Sequence, residues 1–233
     1  MDNTITTILW DIDNTLLDFD YSMRNAMKQC FETVGKSVTD EMIDCYARIN
    51  DAYWKRLERG EVSKKQLLTG RFADFFAEYG LFDIDVEEFR KEFQFRLGTV
   101  FAFRDDSYQV CRFLHKKVNQ YVVTNGVADT QRSKLELSGL AAVMDGIFIS
   151  EEVGSHKPDK AFFEYCLKQI PEKDRSRILI VGDSLTSDIK GGNGADIRTC
   201  WYNPDSRKPG EGFHIDYEIS DIRQIYEIIG LNR

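Results

Sequence analysis

Short apolar stretches recur along this chain, and amphipathic segments of helical length separate most of them. The first stretch runs from Ile5 to Trp10, and four later ones cover residues 120–124, 146–150, 178–182 and 198–202. Apolar runs of this length are typical of strands buried on both faces. Strands that alternate with helices predict a parallel sheet covered on both sides. We therefore expect an α/β fold with a Rossmann-like parallel sheet.

The segment between the first and second predicted strands has a different pattern. It contains no convincing strand and no proline, and its apolar residues recur at helical spacing. Glycines 35, 60 and 80 are expected to end helices, and Thr39 and Ser63 are plausible N-caps. The predicted helices are Tyr21–Val34, Thr39–Arg59, Ser63–Tyr79 and Val86–Leu97. We expect a core domain, residues 1–17 and 104–233, interrupted by an all-α insertion, residues 18–103.

Composition and charge narrow the class of protein. Of the 233 residues, 42% are hydrophobic and 30% are charged, which suits a globular domain. The net charge of −8 argues against binding a nucleic acid polymer. The five cysteines are scattered without a CxxC pair, which indicates reduced thiols. The N-terminus lacks signal-peptide features, and no apolar run is long enough to span a membrane. We expect a cytoplasmic protein without a membrane partner.

Chemically active side chains follow four of the predicted strands. Because parallel strands end at one edge of a sheet, residues that follow them are expected to lie close together. Asp11 and Asp13 lie two apart, so both could face one point. The full set is Asp11 and Asp13 after the first strand, Thr124, Asn125 and Gly126 after the second, Lys157 after the third, and Asp183 and Asp188 after the fourth.

These groups match the needs of phosphate ester hydrolysis. Asp11 would attack phosphorus and form an aspartyl-phosphate, while Asp13 would protonate the leaving alkoxide and then accept a proton from water. Lys157 would neutralise charge on the transferring group. Thr124 and the N–H groups of the next two residues, Asn125 and Gly126, would bind phosphoryl oxygens.

The same acids predict a magnesium site. Asp183 adds negative charge near Asp11, and a hard cation such as Mg²⁺ would balance it. The predicted ligands are Asp11, Asp13, Asp183 and Asp188. Each motif taken alone also fits a structural role, as a turn, a helix cap or a solvated lysine. Their order at four strand ends favours the chemical interpretation.

At these residues the chain resembles the haloacid dehalogenase-like hydrolase superfamily. The four matching motifs are Asp11-Ile12-Asp13-Asn14-Thr15, Thr124-Asn125-Gly126, Lys157-Pro158, and Gly182-Asp183-Ser184 with Asp188. Dehalogenases of that superfamily lack the second aspartate of the first motif, so Asp13 implies the phosphatase branch. The insertion resembles the family's cap, which closes over the active site and selects the leaving group.

A narrower resemblance is to the bacterial pyrimidine 5′-nucleotidases. It rests on residues 16–20, Trp54, residues 70–72, 149–154 and 199–203, and it implies a pyrimidine nucleoside monophosphate as substrate. One departure is Ala195-Asp196, where many relatives have Ala-Gly; aspartate tolerates a left-handed backbone better than most residues. In the cap, Tyr53, Trp54 and Arg71 are candidate contacts to the base or ribose, and helix packing is the alternative for each.

Other functions stay open at this point. A phosphatase acting on phosphoglycolate or a sugar phosphate, or a hexose phosphate mutase of the same superfamily, would share the core motifs. A non-catalytic binding protein on this fold would be expected to lose part of the constellation, and here nucleophile, acid, lysine and metal acid are all present.

Overall fold

The computed structural model describes residues 4–231, and within them a single six-stranded parallel sheet forms the centre of the core. The strands lie in the order β3-β2-β1-β4-β5-β6, and every neighbouring pair is parallel. This confirms the predicted α/β, Rossmann-like class. The strands are β1 (Thr7–Trp10), β2 (Asn119–Thr124), β3 (Gly146–Ile149), β4 (Ile178–Gly182), β5 (Arg198–Tyr202) and β6 (Tyr217–Ile219).

Strand β1 occupies the middle of the sheet. Leu9 pairs with Tyr121 of β2 on one side and Ile180 of β4 on the other. The Asp11 N–H donates to the Val181 carbonyl at 2.9 Å, so the pairing extends to the first carboxylate residue. The chain builds β2 and β3 on one side of β1 and β4 to β6 on the other. The direction in which strands are added to the sheet therefore reverses at β1. Such a reversal opens a crevice at the carboxyl ends of the strands, where ligands bind in this architecture.

Helices cover this sheet. The α-helices within the core part of the chain are α5 (Ser107–Leu114), α6 (Ala128–Leu137), α7 (Ser150–Val153), α8 (Lys160–Gln169), α9 (Lys190–Gly194) and α10 (Ile225–Ile228). Helix α8 buries Phe162, Phe163 and Cys166 in one apolar cluster with Leu9 and Ile180 of the sheet. Burial of apolar surface on the sheet holds this layer in place, at roughly 25 cal/mol per Å² removed from water.

The helical insertion consists of α1 (Phe19–Thr33), α2 (Asp40–Glu58), α3 (Lys64–Glu78) and α4 (Val86–Thr99). Thr39 and Ser63 cap α2 and α3 as predicted, and Ser63 forms a capping box with Gln66. The four helices share an aromatic core in which the Tyr46 ring stacks on Phe72 at a centroid distance of 5.1 Å.

The backbone contacts divide the chain into two compact units. We call Phe19–Phe101 the cap unit, and the described residues 4–18 and 102–231 the core unit. The sequence-based division falls after residues 17 and 103. Where the insertion leaves and returns, the Asp18 N–H donates to the Ala102 carbonyl at 2.8 Å and the Arg104 N–H to the Leu16 carbonyl at 3.0 Å. The two ends of the insertion are therefore hydrogen-bonded neighbours within the core unit.

The five cysteines are free thiols, four of them buried, as their scattered spacing predicts. Asp196, the departure noted above, adopts a left-handed φ of 54°. Within residues 4–231, no helix has both the length and the apolar character needed to cross a membrane.

Candidate active site

Asp11 lies at the carboxyl end of the central strand β1, and its carboxylate is held by two side chains. Its Oδ1 accepts a hydrogen bond from the Lys157 ammonium at 2.6 Å, and its Oδ2 accepts one from the Thr15 hydroxyl at 3.2 Å. The Thr15 hydroxyl in turn accepts the Asp183 N–H at 3.1 Å. One small hydroxyl therefore connects the first and fourth motifs.

Lys157 is buried and uses all three ammonium protons. They go to Asp11 Oδ1 at 2.6 Å, to Asp188 Oδ1 at 2.7 Å and to the Val123 carbonyl at 2.8 Å. The Asn125 side chain fixes the backbone of Lys157 from both sides, accepting its N–H at 2.9 Å and donating to its carbonyl at 2.8 Å. The lysine is thus aimed into the carboxyl end of the sheet rather than solvated.

Three carboxylates form a cluster beside this lysine. One oxygen each of Asp11, Asp183 and Asp188 lies within 4.8 Å of the others. Within residues 4–231 the Asp183 carboxylate accepts no hydrogen bond, although it faces two other acids. Three carboxylates and one ammonium leave two negative charges, and a divalent cation would balance them. An all-oxygen donor set of this kind suits Mg²⁺ or Ca²⁺.

The cluster changes the proton affinity of its members. Burial raises the pKa of Asp11 to about 7, and the negative charge of Asp188 adds to this effect while Lys157 opposes it. Burial, together with Asp11 and Asp188, raises the pKa of Asp183 well above its ordinary value. Burial lowers the pKa of Lys157, but the two adjacent carboxylates more than offset this and leave it raised. A bound cation would favour the ionised form of all three acids.

The turn after β4 brings Asp188 into the cluster. Ser184 caps a short π-helical turn, Leu185–Ile189, and its own N–H donates to Asp188 Oδ2 at 3.2 Å. Gly182 makes this approach possible, because a Cβ there would lie 2.2 Å from Asp188 Oδ2. Short π-helical turns often occur at functional sites.

The second motif presents a hydroxyl to the same edge. The buried Thr124 Oγ1 accepts the Gly126 N–H at 3.1 Å and the Gln131 amide at 3.0 Å. Both acceptor positions are then used, and the hydroxyl proton is the group that could donate to a phosphoryl oxygen. The Asn125 side chain holds Lys157, a role that the sequence analysis did not assign to it, and the proposed use of its backbone N–H for phosphate stays a prediction.

The Asp13 carboxylate is bound by two side chains of helix α6. Its Oδ1 accepts the Lys134 ammonium at 2.8 Å and its Oδ2 the Gln131 amide at 2.5 Å. Within residues 4–231, the cluster of acids that could hold a metal ion consists of Asp11, Asp183 and Asp188, without Asp13. Sequence reasoning assigned no role to Gln131, Lys134 or Thr15. Thr15 lies in the turn of the first motif, and Gln131 and Lys134 lie within helix α6. The sequence does not distinguish them from ordinary turn and helix residues.

The three cap residues singled out from the sequence have different surroundings. The Tyr53 hydroxyl donates to Asp74 at 2.8 Å, and Trp54 packs on a small apolar cluster with Leu57. Arg71 is buried, and its Nη1 donates to Asn50 Oδ1 at 2.6 Å. Its Nε and Nη2 have no hydrogen-bond partner among the described residues.

A Rossmann-like sheet with an aspartate, a lysine and an acid cluster at its carboxyl edge defines a class of hydrolase. The family model of haloacid dehalogenase-like hydrolases matches residues 5–196, and the chain belongs to that family. The predicted family is therefore confirmed.

Three relatives that match nearly the full length of the chain show which members of the family it resembles. The chain is 34% identical to the HAD-hydrolase YfnB of Bacillus subtilis over 97% of this chain and 95% of the relative. It is 32% identical to the pyrimidine 5′-nucleotidase PynA of Streptococcus pneumoniae, with the same two coverages. It is 30% identical to the pyrimidine 5′-nucleotidase YjjG of Escherichia coli, over 95% of this chain and 96% of the relative. These findings confirm the predicted enzyme class, a phosphatase-type hydrolase.

A crystal structure of YfnB from Bacillus subtilis bound to magnesium has the same fold. The TM-score is 0.93 at 33% identity, covering 98% of this chain and all of that one.

Proposed function

We propose that this protein is a Mg²⁺-dependent phosphomonoesterase that hydrolyses pyrimidine nucleoside 5′-monophosphates through an aspartyl-phosphate at Asp11. The observation that carries the proposal is the placement of Asp11, which lies between the Lys157 ammonium and the Thr15 hydroxyl within the three-acid cluster. The relatives PynA and YjjG, named pyrimidine 5′-nucleotidases, support the choice of substrate.

The residues divide the chemistry between them. Asp11 attacks phosphorus, and the bond from phosphorus to the nucleoside oxygen breaks as Asp13 donates a proton to that oxygen. Water then attacks the aspartyl-phosphate, Asp13 takes its proton, and inorganic phosphate and free Asp11 result. Lys157 stabilises negative charge on the transferring group, and Thr124 donates to one of its oxygens.

Asp11, Asp183 and Asp188 would hold the magnesium ion. When bound, the ion would neutralise the cluster and polarise the phosphoryl group. A contribution of Asp13 to the cation site stays a prediction, as does the cytoplasmic location. Tyr53, Trp54 and Arg71 stay proposed contacts of the nucleoside.

A substrate panel tests this proposal. Phosphate release is measured from dUMP, dTMP, UMP, purine monophosphates and sugar phosphates, with Mg²⁺ and with EDTA. We expect release from the pyrimidine nucleotides with Mg²⁺ and none with EDTA. Faster release from phosphoglycolate or a sugar phosphate would contradict the nucleotide assignment, and isomer formation would indicate a mutase. If no ester is hydrolysed, the result would favour a non-catalytic binding protein on this fold.

Two variants test the covalent route. Asp11→Asn should abolish phosphate release, while Asp205→Asn, a change of an exposed aspartate in the same unit, should leave it intact. Asp13→Asn should slow turnover and allow a phosphorylated Asp11 peptide to be trapped and detected by mass spectrometry. Full activity of Asp11→Asn would disprove the nucleophile assignment.

A further inference from the structure

Two side chains of helix α6 bind the two oxygens of Asp13. Gln131 and Lys134 lie three positions apart, so both project from one face of the helix. The Lys134 ammonium donates to Oδ1 at 2.8 Å, and the Gln131 amide donates to Oδ2 at 2.5 Å. Lys134 is 0% exposed, and Gln131 is 1% exposed. A lysine is seldom buried to this degree unless its charge is paired, and here a carboxylate with a proposed chemical role supplies the pair.

Gln131 also connects Asp13 to the phosphate-binding motif. The amide nitrogen that donates to Asp13 donates to Thr124 Oγ1 at 3.0 Å as well. The space for this amide exists because residue 126 is a glycine, since a Cβ there would lie 2.0 Å from Gln131 Nε2. The strand-to-helix turn of the second motif is therefore shaped around the side chain that holds Asp13.

We propose that Lys134 and Gln131 are positioning residues that fix the Asp13 carboxylate for its two proton transfers. A carboxylate bound at both oxygens cannot turn about its terminal bond without losing a charge-assisted hydrogen bond. A misplacement of about 1 Å in a catalytic group can cost about 100-fold in rate. The inference rests on the proposed role of Asp13 in phosphate ester hydrolysis, and it does not depend on which nucleoside leaves.

The two transfers are distinct steps. In the first, Asp13 gives its proton to the leaving oxygen as the bond from that oxygen to phosphorus breaks. In the second, water bonds to the phosphorus of the aspartyl-phosphate, its proton goes to Asp13, and the bond to Asp11 breaks. An ester whose leaving group is already a stable anion needs no proton in the first step, whereas an alkyl ester does.

This difference between leaving groups provides the test. The value of kcat/KM, which reports events through transfer to Asp11, is compared for p-nitrophenyl phosphate and for an alkyl phosphate. The alkyl ester is the best nucleotide of the substrate panel, or glycerol phosphate if no nucleotide is hydrolysed. For Lys134→Met we expect a loss of at least about 10-fold on the alkyl ester and less than about 3-fold on the nitrophenyl ester. Gln131→Met should show the same pattern with a smaller loss.

The controls separate positioning from packing. Lys134→Arg retains a donor for Asp13 and should recover most of the loss on the alkyl ester. Arg132→Met removes a cation from the exposed face of the same helix, where Arg132 pairs with Glu152 at 2.6 Å, and should leave both esters unaffected. Thermal unfolding of each variant shows whether it is folded. If Lys134→Met does not fold, the losses in kcat/KM on the two esters are compared for Gln131→Met and Lys134→Arg instead.

The outcomes are distinguishable. Equal losses on the two esters, or variants that match Arg132→Met, would overturn the positioning role while leaving the phosphatase proposal intact. A wild-type protein that hydrolyses p-nitrophenyl phosphate and glycerol phosphate but no nucleotide would contradict the proposed substrate, and the comparison of esters would still decide this inference. Hydrolysis of neither ester would overturn both.

Discussion

Replacing Asp183 with asparagine should make the cation-free protein more stable. The Asp183 carboxylate accepts no hydrogen bond from the described residues, and its nearest ligand oxygens on Asp11 and Asp188 lie within 4.8 Å. Two unit charges at that distance repel by about 3–4 kcal/mol at an effective dielectric constant of about 20, and by about 1 kcal/mol in water. Lys157 and Arg207 offset part of this repulsion. We expect a net gain of about 1–3 kcal/mol from the substitution.

The gain should depend on pH with a definite sign. The folded-state pKa of Asp11 is about 7, and that of Asp183 is also raised, chiefly because burial disfavours the charged carboxylates. The folded protein therefore retains protons that the unfolded chain has lost, and its stability falls as the pH rises from about 4 through about 7. The advantage of Asp183→Asn should be small near pH 5 and should grow as the pH rises, because burial, Asp11 and Asp188 raise the pKa of the Asp183 carboxyl that the substitution removes.

The assay is thermal unfolding with EDTA and with excess Mg²⁺. In EDTA near pH 8 the variant should melt about 2–12 °C above the wild type, given about 2–4 °C per kcal/mol for a protein of this size. Excess Mg²⁺ at about 100 times its Kd should stabilise the wild type by about 2.7 kcal/mol and the variant by less. Asp205→Asn serves as the control for loss of an exposed charge. A variant that melts at or below the wild type in EDTA near pH 8 refutes the reasoning.

Three further outcomes follow from the site and the cap unit. Mg²⁺ should bind more weakly near pH 6 than near pH 8, with proton release, because the pKa of Asp11, raised by burial and Asp188, lies at about 7; calorimetry showing a pH-independent affinity would contradict this. Gly182→Ala should cut activity and Mg²⁺ affinity at least about 10-fold, since the added Cβ would lie 2.2 Å from Asp188 Oδ2; an unchanged affinity in the same titration would count against it. Arg71→Met should leave stability in urea within about 1 kcal/mol of the wild type, because two of its buried nitrogens are unpaired; a larger loss would show that the Asn50 contact dominates.

The sheet was predictable because each of its first five strands is a short apolar run bounded by polar residues. Strand β6, Tyr217–Ile219, was missed because it has three residues, one of them the charged Glu218, and it lies at the sheet edge. An edge strand packs against fewer neighbours, so its sequence carries less of the apolar signal.

The candidate site was predictable where the polar residues directly follow strands. Asp11 and Asp183 directly follow β1 and β4, Thr124 ends β2, and parallel strands bring these ends together. Lys157 comes later, after helix α7, and its Lys-Pro sequence identified it. Gln131 and Lys134 could not be found in the same way. They lie within helix α6, where a glutamine and a lysine usually face solvent, and only the fold shows that Asp13 occupies the space beside them.

The hydrogen bond that joins Asp18 to Ala102 has a consequence for the order of folding during synthesis. Thr7 in β1 and Asn119 in β2 are separated by 112 positions, and both sheet neighbours of β1 are translated after the insertion. The insertion makes local helical contacts, which form quickly and need no sheet. Once the insertion is folded and its two ends meet, the effective loop between β1 and β2 shrinks from 112 residues to roughly 30. The shorter loop lowers the entropic cost of pairing these strands by about 1 kcal/mol. We expect the interrupting helices to shorten the search by which the central strand finds its first partner on the ribosome.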